Sequence, residues 1–355
     1  MRKRILSGVQ PSGKLHLGNY FGAIRQHIAL QDEGDCFFFI ADYHALTTVR
    51  EAAKAEADDP RGGHKPRPAA AILRDNVRDV ALDYLALGLD PEKVTFYRQS
   101  DVPEVCELAW ILSTVTSMGL LERAHSYKDK VARGILPSVG LFTYPVLMAA
   151  DILICRANVV PVGQDQVQHL EMTRDMAGYF NNSYGVDVFP PPAERLDAAA
   201  TVPGIDGKKM SKSYGNTIEI FAEGNPLKKT VMSIVTDSTP VDAPKDPTKC
   251  NVVALYSLFA TEAEKAKLAS LYRNPTEDAE ARQGRPFGYG DSKKLLLDKI
   301  NGTFGPFRER RKELAARSGY VDEVLAAGAR KARAEAQKTM ELVRRAVGMT
   351  PRPVA

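Results

Sequence analysis

An α/β fold, a doubly wound parallel sheet joined to an all-helical C-terminal domain, is what this sequence predicts. Three observations carry that expectation. Short apolar runs alternate with segments of helical periodicity through the first half of the chain, the arrangement that sets a parallel sheet between layers of helix. Turns bearing glycine follow two of those runs, at Gly8–Gly18 and Gly163–Gln166, where such sheets bind ligands beyond the carboxyl ends of their strands. After Phe189-Pro190-Pro191-Pro192 the composition shifts, and the pattern becomes mostly helical.

The elements follow in order. Ile5-Leu6-Ser7-Gly8-Val9 is a short apolar run closed by Pro11-Ser12-Gly13, a strand and its turn. Phe21, Ile24 and Ile28 then fall at helical spacing, which sets Gly18-Asn19 at a helix N-terminus. Cys36 to Ala41 is continuously apolar, as a strand covered on both faces requires. Residues 51–68 are polar and rich in proline, glycine and charge, and read as a surface-loop insertion to which no partner is assigned. A helix over about 69–87 carries Ile72, Val80 and Tyr84 on one stripe, and Val94-Thr95-Phe96-Tyr97 and Val159-Val160-Pro161-Val162 are further strands. Beyond Phe221, helices are expected over 226–234, 252–259, 262–272, 292–300 and 307–314, and residues 321–347 read as an amphipathic helical pair. The implied domains are 1–205 for the sheet, 206–320 for a polar loop and helical domain, and 321–355 for C-terminal helices.

Composition narrows the class. A length of 355 residues favours about two domains, each able to bury its own core. A hydrophobic share of 44% with 26% charged residues belongs to a globular protein. The net charge of +4 permits an RNA partner through a local patch without requiring one. Cys36, Cys106, Cys155 and Cys250 show no zinc-type spacing and no disulfide framework. Basic residues at the start precede no apolar core of a secretory signal, and no stretch is long and apolar enough to span a bilayer, so the cytoplasm is the expected compartment.

Two motifs describe a phosphate cradle. In Ser12-Gly13…His16-Leu17-Gly18-Asn19, a tight turn, an imidazole, a glycine and an amide stand beside a helix N-terminus. There backbone N–H groups and the helix dipole favour anions, and Gly18 lets a ligand approach the main chain. Alone, this is equally an ordinary strand–turn–helix capped by Asn19. Lys209-Met210-Ser211-Lys212-Ser213 supplies point charges for pyrophosphate and hydroxyls for phosphate oxygens. Most Lys-Ser runs are solvated loops, but this pentapeptide arises by chance in roughly one in ten thousand chains of this length.

On these residues the chain resembles the class I aminoacyl-tRNA synthetases, whose signatures are HIGH and KMSKS. Asn19 departs from the last position of HIGH in the manner of the bacterial tryptophanyl branch. The resemblance spans nearly the whole chain and implies a Rossmann-like catalytic domain, a helical anticodon-binding domain, a homodimer, and ATP with Mg²⁺ as the substrate complex. It assigns His16, Asn19, Lys209 and Lys212 to catalysis, the lysines holding the β- and γ-phosphates of ATP. Gln10, Ser12, Gly18, Gly163, Met210, Ser211 and Ser213 join Asn19 around ATP. In Val162-Gly163-Gln164-Asp165-Gln166, Asp165 reads alone as a helix cap. By resemblance it accepts from the ATP ribose, and Gln166 contacts the amino group of the amino acid. No nucleophilic triad is needed, because the substrate carboxylate is itself the nucleophile and catalysis is positioning and charge stabilisation.

Selectivity is read from residues 143–153. Tyr144, Met148 and Asp151 recur on one helix face, a carboxylate amid apolar neighbours. Indole offers a single N–H donor and no acceptor, so Asp151 can accept from it while Met148 packs on the ring. Leaving that carboxylate unpaired rejects a wrong side chain without editing. Without the resemblance the same face is a core helix with a capping Asp. Gly8 and His44 complete the tryptophan set. His44 lies in Asp42-Tyr43-His44, where the family often has DQH, so no role is given to position 43; a structural histidine is the competing reading. Lys128 and Lys130 match a segment that approaches pyrophosphate in the family, and are equally a solvated charge run. Some members hold an iron–sulfur cluster through four cysteines in the helical domain; with Cys250 alone there, neither cluster nor zinc is expected, and an iron–sulfur absorbance band would overturn this. The reaction implied is tryptophan activation by ATP and transfer to tRNA(Trp). Tyrosyl-tRNA synthetase and a non-catalytic RNA-binding paralogue stand as alternatives.

Overall fold

A computed structural model describes residues 3–58, 67–124, 127–128, 138–196 and 202–349. Five strands form one parallel sheet: β1 (Arg4–Val9), β2 (Asp35–Ile40), β3 (Val94–Arg98), β4 (Val159–Val162) and β5 (Ala193–Leu196), in the order β3-β2-β1-β4-β5. The helices used below are α1 (Leu17–Asn19), α2 (Arg25–Leu30), α3 (Asp42–Ala45), α4 (Val49–Asp58), α5 (Ala69–Ala86), α6 (Glu104–Ser113), α7 (Met118–Glu122), α8 (Val139–Ile154) and α9 (Val167–Tyr184). They continue with α10 (Gly224–Met232), α11 (Asn251–Tyr256), α12 (Glu262–Arg273), α13 (Tyr289–Ala316) and α14 (Tyr320–Ala346). Between α1 and α2, Tyr20–Ile24 forms a π-helical stretch.

Strand β2 is buried at every residue after Asp35, which is why its apolar run is unbroken, and β1 is buried at Ile5, Leu6 and Ser7. Parallel strands need helical crossovers, and the strand order reverses between β1 and β4, the point at which such sheets open a crevice. Three readings of the sequence change. Part of the expected surface loop over 51–68 is helical, because α4 runs to Asp58; its Ala, Glu and Lys residues are good helix formers even though they are polar. Residues 59–66 lie outside the described residues. The separate helices at 292–300 and 307–314 are one helix, α13, which carries Pro306 inside it. The pair expected over 321–347 is likewise the single helix α14.

The chain divides into two compact units, neither continuous in sequence. The first comprises residues Met1–Gly13, His27–Asp197 and Arg317–Ala355; the second comprises Lys14–Gln26 and Ala198–Ala316. The line thus differs from a cut near residue 205, since residues 14–26 fall with the helical part and the C-terminal helix falls with the sheet.

Within the first unit, α14 packs along β3. The approach is so close that a Cβ on Gly328 would stand 1.8 Å from the Phe96 carbonyl oxygen. Arg4 ties β1 into the same packing, donating to Asp35 at 3.1 Å, the Cys155 carbonyl at 2.9 Å and Glu335 of α14 at 3.2 Å. Within the second unit the core is Ile218, Ile220, Val231, Leu255, Tyr272, Ile300 and Phe304. Tyr20 and Phe21 belong to it through edge-to-face contacts with Phe304 and Phe259 at 5.0 and 5.1 Å.

Candidate active site

His16-Leu17-Gly18-Asn19 and the Lys209–Ser213 pentapeptide meet inside the second unit. Leu17 N–H donates to the Ile218 carbonyl at 3.0 Å and Ile220 N–H to the Leu15 carbonyl at 3.1 Å, so a short antiparallel ladder, His16 opposite Glu219, joins the two. Arg308 of α13 grips this ladder from beneath, with Nε donating to the Ile220 carbonyl at 3.0 Å. At the ladder's end α1 begins. Asn19 Oδ1 accepts from His16 N–H at 3.1 Å, which fixes the first turn. Gly18 N–H donates to Met210 Sδ at 3.4 Å, a direct link from the helix start to the pentapeptide.

His16 is 5% exposed, and burial together with the Lys212 charge pulls its pKa down to about 4. The imidazole is therefore neutral at physiological pH, and its Nδ1 is buried with no hydrogen-bond partner. A neutral ring beside a lysine can donate to an anion without titrating.

The pentapeptide is held by a residue that the motif reading missed. Asn216 is 2% exposed; its Oδ1 accepts from Ser211 N–H at 2.8 Å, and its Nδ2 donates to Asp206 Oδ1 at 2.8 Å and the Lys209 carbonyl at 3.2 Å. Lys209 projects into solvent, Lys212 is half-buried, and Ser211 and Ser213 share a hydrogen bond at 2.8 Å. Two cations and two hydroxyls are thereby presented on one tight loop.

The first unit holds the remaining site residues. Asp151 of α8 is 3% exposed. Burial raises its carboxyl pKa, and hydrogen bonds from His44 and Gln99 oppose that rise. His44 of α3 donates from Nε2 to Oδ2 at 3.0 Å, and Gln99 donates from Nε2 to Oδ1 at 2.8 Å and Oδ2 at 2.9 Å. Sequence reading missed Gln99, because a lone glutamine after a strand carries no spacing signal. Tyr144, one face with Met148 and Asp151, shares a hydrogen bond with His169 and stands 6.3 Å from His44 ring to ring. Met148 is half-buried against the core. At Gly8 a Cβ would fall 2.5 Å from the Phe39 ring, so only glycine leaves this strand end open.

Gln10 and Ser12 lie on the turn after β1; Gln10 Nε2 donates to Thr48 at 3.0 Å and Ser12 N–H to the Gln10 carbonyl at 2.9 Å. Gly163 opens the turn after β4, accepting from Gln166 N–H at 2.9 Å, so Gly163 and Gln166 flank the start of α9. The Asp165 side chain and Lys130 lie outside the described residues. Lys128 is exposed. Among the described residues no group of three His, Cys, Asp or Glu side chains could hold a metal ion, and no helix is long and apolar enough to cross a membrane.

A family model described as tRNA synthetases class I (W and Y) matches residues 2–305. A tryptophan–tRNA ligase of Rhodopirellula baltica is 48% identical over 346 residues, covering 98% of this chain and 99% of that protein. One from Fusobacterium nucleatum is 50% identical over 348 residues, covering 98% of each. The crystal structure of the Campylobacter jejuni tryptophanyl-tRNA synthetase with ADP and tryptophan superposes with a TM-score of 0.83 at 45% identity, over 97% of this chain and 99% of that one.

Proposed function

The chain belongs to the class I tRNA synthetases of the tryptophan and tyrosine family, and we propose that it works as a tryptophan–tRNA ligase in two chemical steps. In the first step the tryptophan carboxylate attacks the α-phosphorus of ATP. A P–O bond forms, the α–β bridging bond breaks, and tryptophanyl-adenylate and pyrophosphate result. In the second step a hydroxyl of the terminal ribose of tRNA(Trp) attacks the activated carbonyl, and AMP leaves.

ATP enters as its Mg²⁺ complex. Lys209 and Lys212 stabilise the charge that grows on the leaving pyrophosphate, Ser211 and Ser213 hydrogen-bond its oxygens, and the α1 N-terminus with Gly18 and Asn19 adds fixed dipoles. Neutral His16 donates to phosphate. Gln10, Ser12, Gly163 and Asp165 take the nucleoside side, and Gln166 and Tyr144 the α-amino group.

One observation carries the choice of tryptophan: the buried carboxylate of Asp151 among apolar neighbours. It suits a partner that only donates, as indole does, and it is left short of a partner by a side chain with no matching N–H. ATP–pyrophosphate exchange driven by each amino acid tests this. Tryptophan should drive exchange and tyrosine should not; Asp151→Ala should raise the KM for tryptophan about tenfold or more, and Lys212→Ala should slow adenylation by about a hundredfold or more. Exchange driven by tyrosine, or an Asp151→Ala enzyme with unchanged tryptophan affinity, sinks the reading.

For tRNA, exposed Lys294 and Arg310 of α13 supply charge directed at phosphate on the helical unit, and the cytoplasm is the place of action. For the homodimer, Trp110 of α6 is 71% exposed, an aromatic side chain of the kind that anchors subunit contacts. Sedimentation should give a dimer, and Trp110→Glu should shift it toward monomer.

A further inference from the structure

Gln99 stands at a crossing of the first unit that no motif marks. It lies in the turn Gln99–Asp101 directly after β3 and is 0% exposed. Its Oε1 accepts from Tyr43 N–H at 3.0 Å, while Nε2 donates to both oxygens of Asp151. The amide cannot be the other way round: flipped, its oxygen would face a carboxylate and its N–H groups would face another N–H. Ser100 N–H donates to Asp42 Oδ1 at 2.9 Å, a second tie that locks the same turn to α3. The ends of β2 and β3 thus deliver His44 and Gln99 to one carboxylate.

We propose that Gln99 is a positioning residue for tryptophan selection, fixing the rotamer and charge of Asp151 so that it keeps one acceptor position for the indole N–H. The count is simple. A carboxylate offers about four lone-pair sites. Gln99 takes one on each oxygen and His44 takes a second on Oδ2, which leaves one, on Oδ1. Burial raises the Asp151 carboxyl pKa and the same donors oppose that rise, so without them it would protonate at a higher pH and present a donor where the substrate needs an acceptor. Gln99 touches no substrate; it acts through Asp151, and the inference rests on the tryptophan reading above.

The test uses the full-length enzyme, Gln99→Met as a variant of similar volume without donors, and Gln99→Glu as a second. Exchange kinetics are measured from pH 6 to 9 with tryptophan and with its benzothiophene analogue, which has sulfur in place of the indole N–H. Gln99→Met should raise the KM for tryptophan about tenfold or more with the KM for ATP unchanged, erase most of the preference over the analogue, and move the acidic limb of the tryptophan profile upward. Gln99→Glu should be weak at pH 9 and recover as the pH falls, because a protonated glutamic acid can again donate to Asp151. If both variants keep the wild-type preference and pH profile, or lose both substrates equally with the profile unmoved, the positioning role is overturned. If the wild-type enzyme itself fails to prefer tryptophan over the analogue, the tryptophan reading falls and takes this role with it.

Discussion

Asn216→Ala is the sharpest perturbation of the phosphate loop. It removes three hydrogen bonds in a side chain that is 2% exposed: one from the Ser211 amide, one to Asp206 and one to the Lys209 carbonyl. At a net 0.5–1.5 kcal/mol each, the loop loses about 3 kcal/mol of preference for its present shape. If that shape is what presents Lys209 and Lys212, the loss converts to about a hundredfold in kcat/KM for ATP. The residues proposed to bind tryptophan lie in the other unit, so the KM for tryptophan should hold within about twofold. A second route disturbs the same contact: a Cβ on Gly204 would fall 2.3 Å from Asn216 Nδ2, so Gly204→Ala should mimic Asn216→Ala. The double variant should be scarcely worse than either single one, because both disturb one interaction. ATP–pyrophosphate exchange, titrated separately in ATP and tryptophan, reads all of this. An Asn216→Ala enzyme within threefold of wild type in kcat/KM for ATP would refute the clamp.

Other expectations concern stability. His27 is 4% exposed, stacks on Phe38 at 5.1 Å and hydrogen-bonds the Tyr84 hydroxyl at 3.1 Å; burial lowers its pKa from 6.5 to about 4. The folded state therefore binds fewer protons than the unfolded one below pH 6.5, so stability falls with pH and levels off beneath pH 4, by about 2 kcal/mol between pH 7 and 5 from this side chain alone. Urea titrations of wild type and His27→Gln at both pH values check it, the variant losing less. Gly328→Ala should destabilise the first unit by about 2–3 kcal/mol despite alanine's better helix propensity, because the obstacle is the Phe96 backbone; a variant melting at or above wild type would show that α14 can ride outward.

Strands buried on both faces could be read directly, since Cys36–Ala41 and Val159–Val162 have no polar face to disguise them. Strand β5 could not: Ala193-Glu194-Arg195-Leu196 is largely exposed, and its polar residues look like loop. The break read between 300 and 307 does not occur: α13 continues through Pro306, with buried Phe304 and Arg308 on either side holding the helix. The membership of residues 14–26 was hidden for another reason. Tyr20 and Phe21 find Phe304 and Phe259 across hundreds of residues, and no local pattern encodes such a pairing. Among the candidate site residues, His16, Lys209 and Lys212 stood out as motifs, and Asp151 as a carboxylate out of place. Gln99 and Asn216 became visible only through burial and three hydrogen bonds apiece, a property of the folded chain.

The seating of α14 on β3 sets a schedule for synthesis. β3 is an outer strand of the sheet, and its covering helix is translated roughly 220 residues later. At 5–20 residues per second, the nascent sheet waits roughly ten to forty-five seconds with that edge uncovered. Such an edge is a template for pairing with another chain. Ribosome stalling or premature termination anywhere between the helical unit and Gly328 should therefore yield an aggregating fragment, even though every strand of the sheet has already been made.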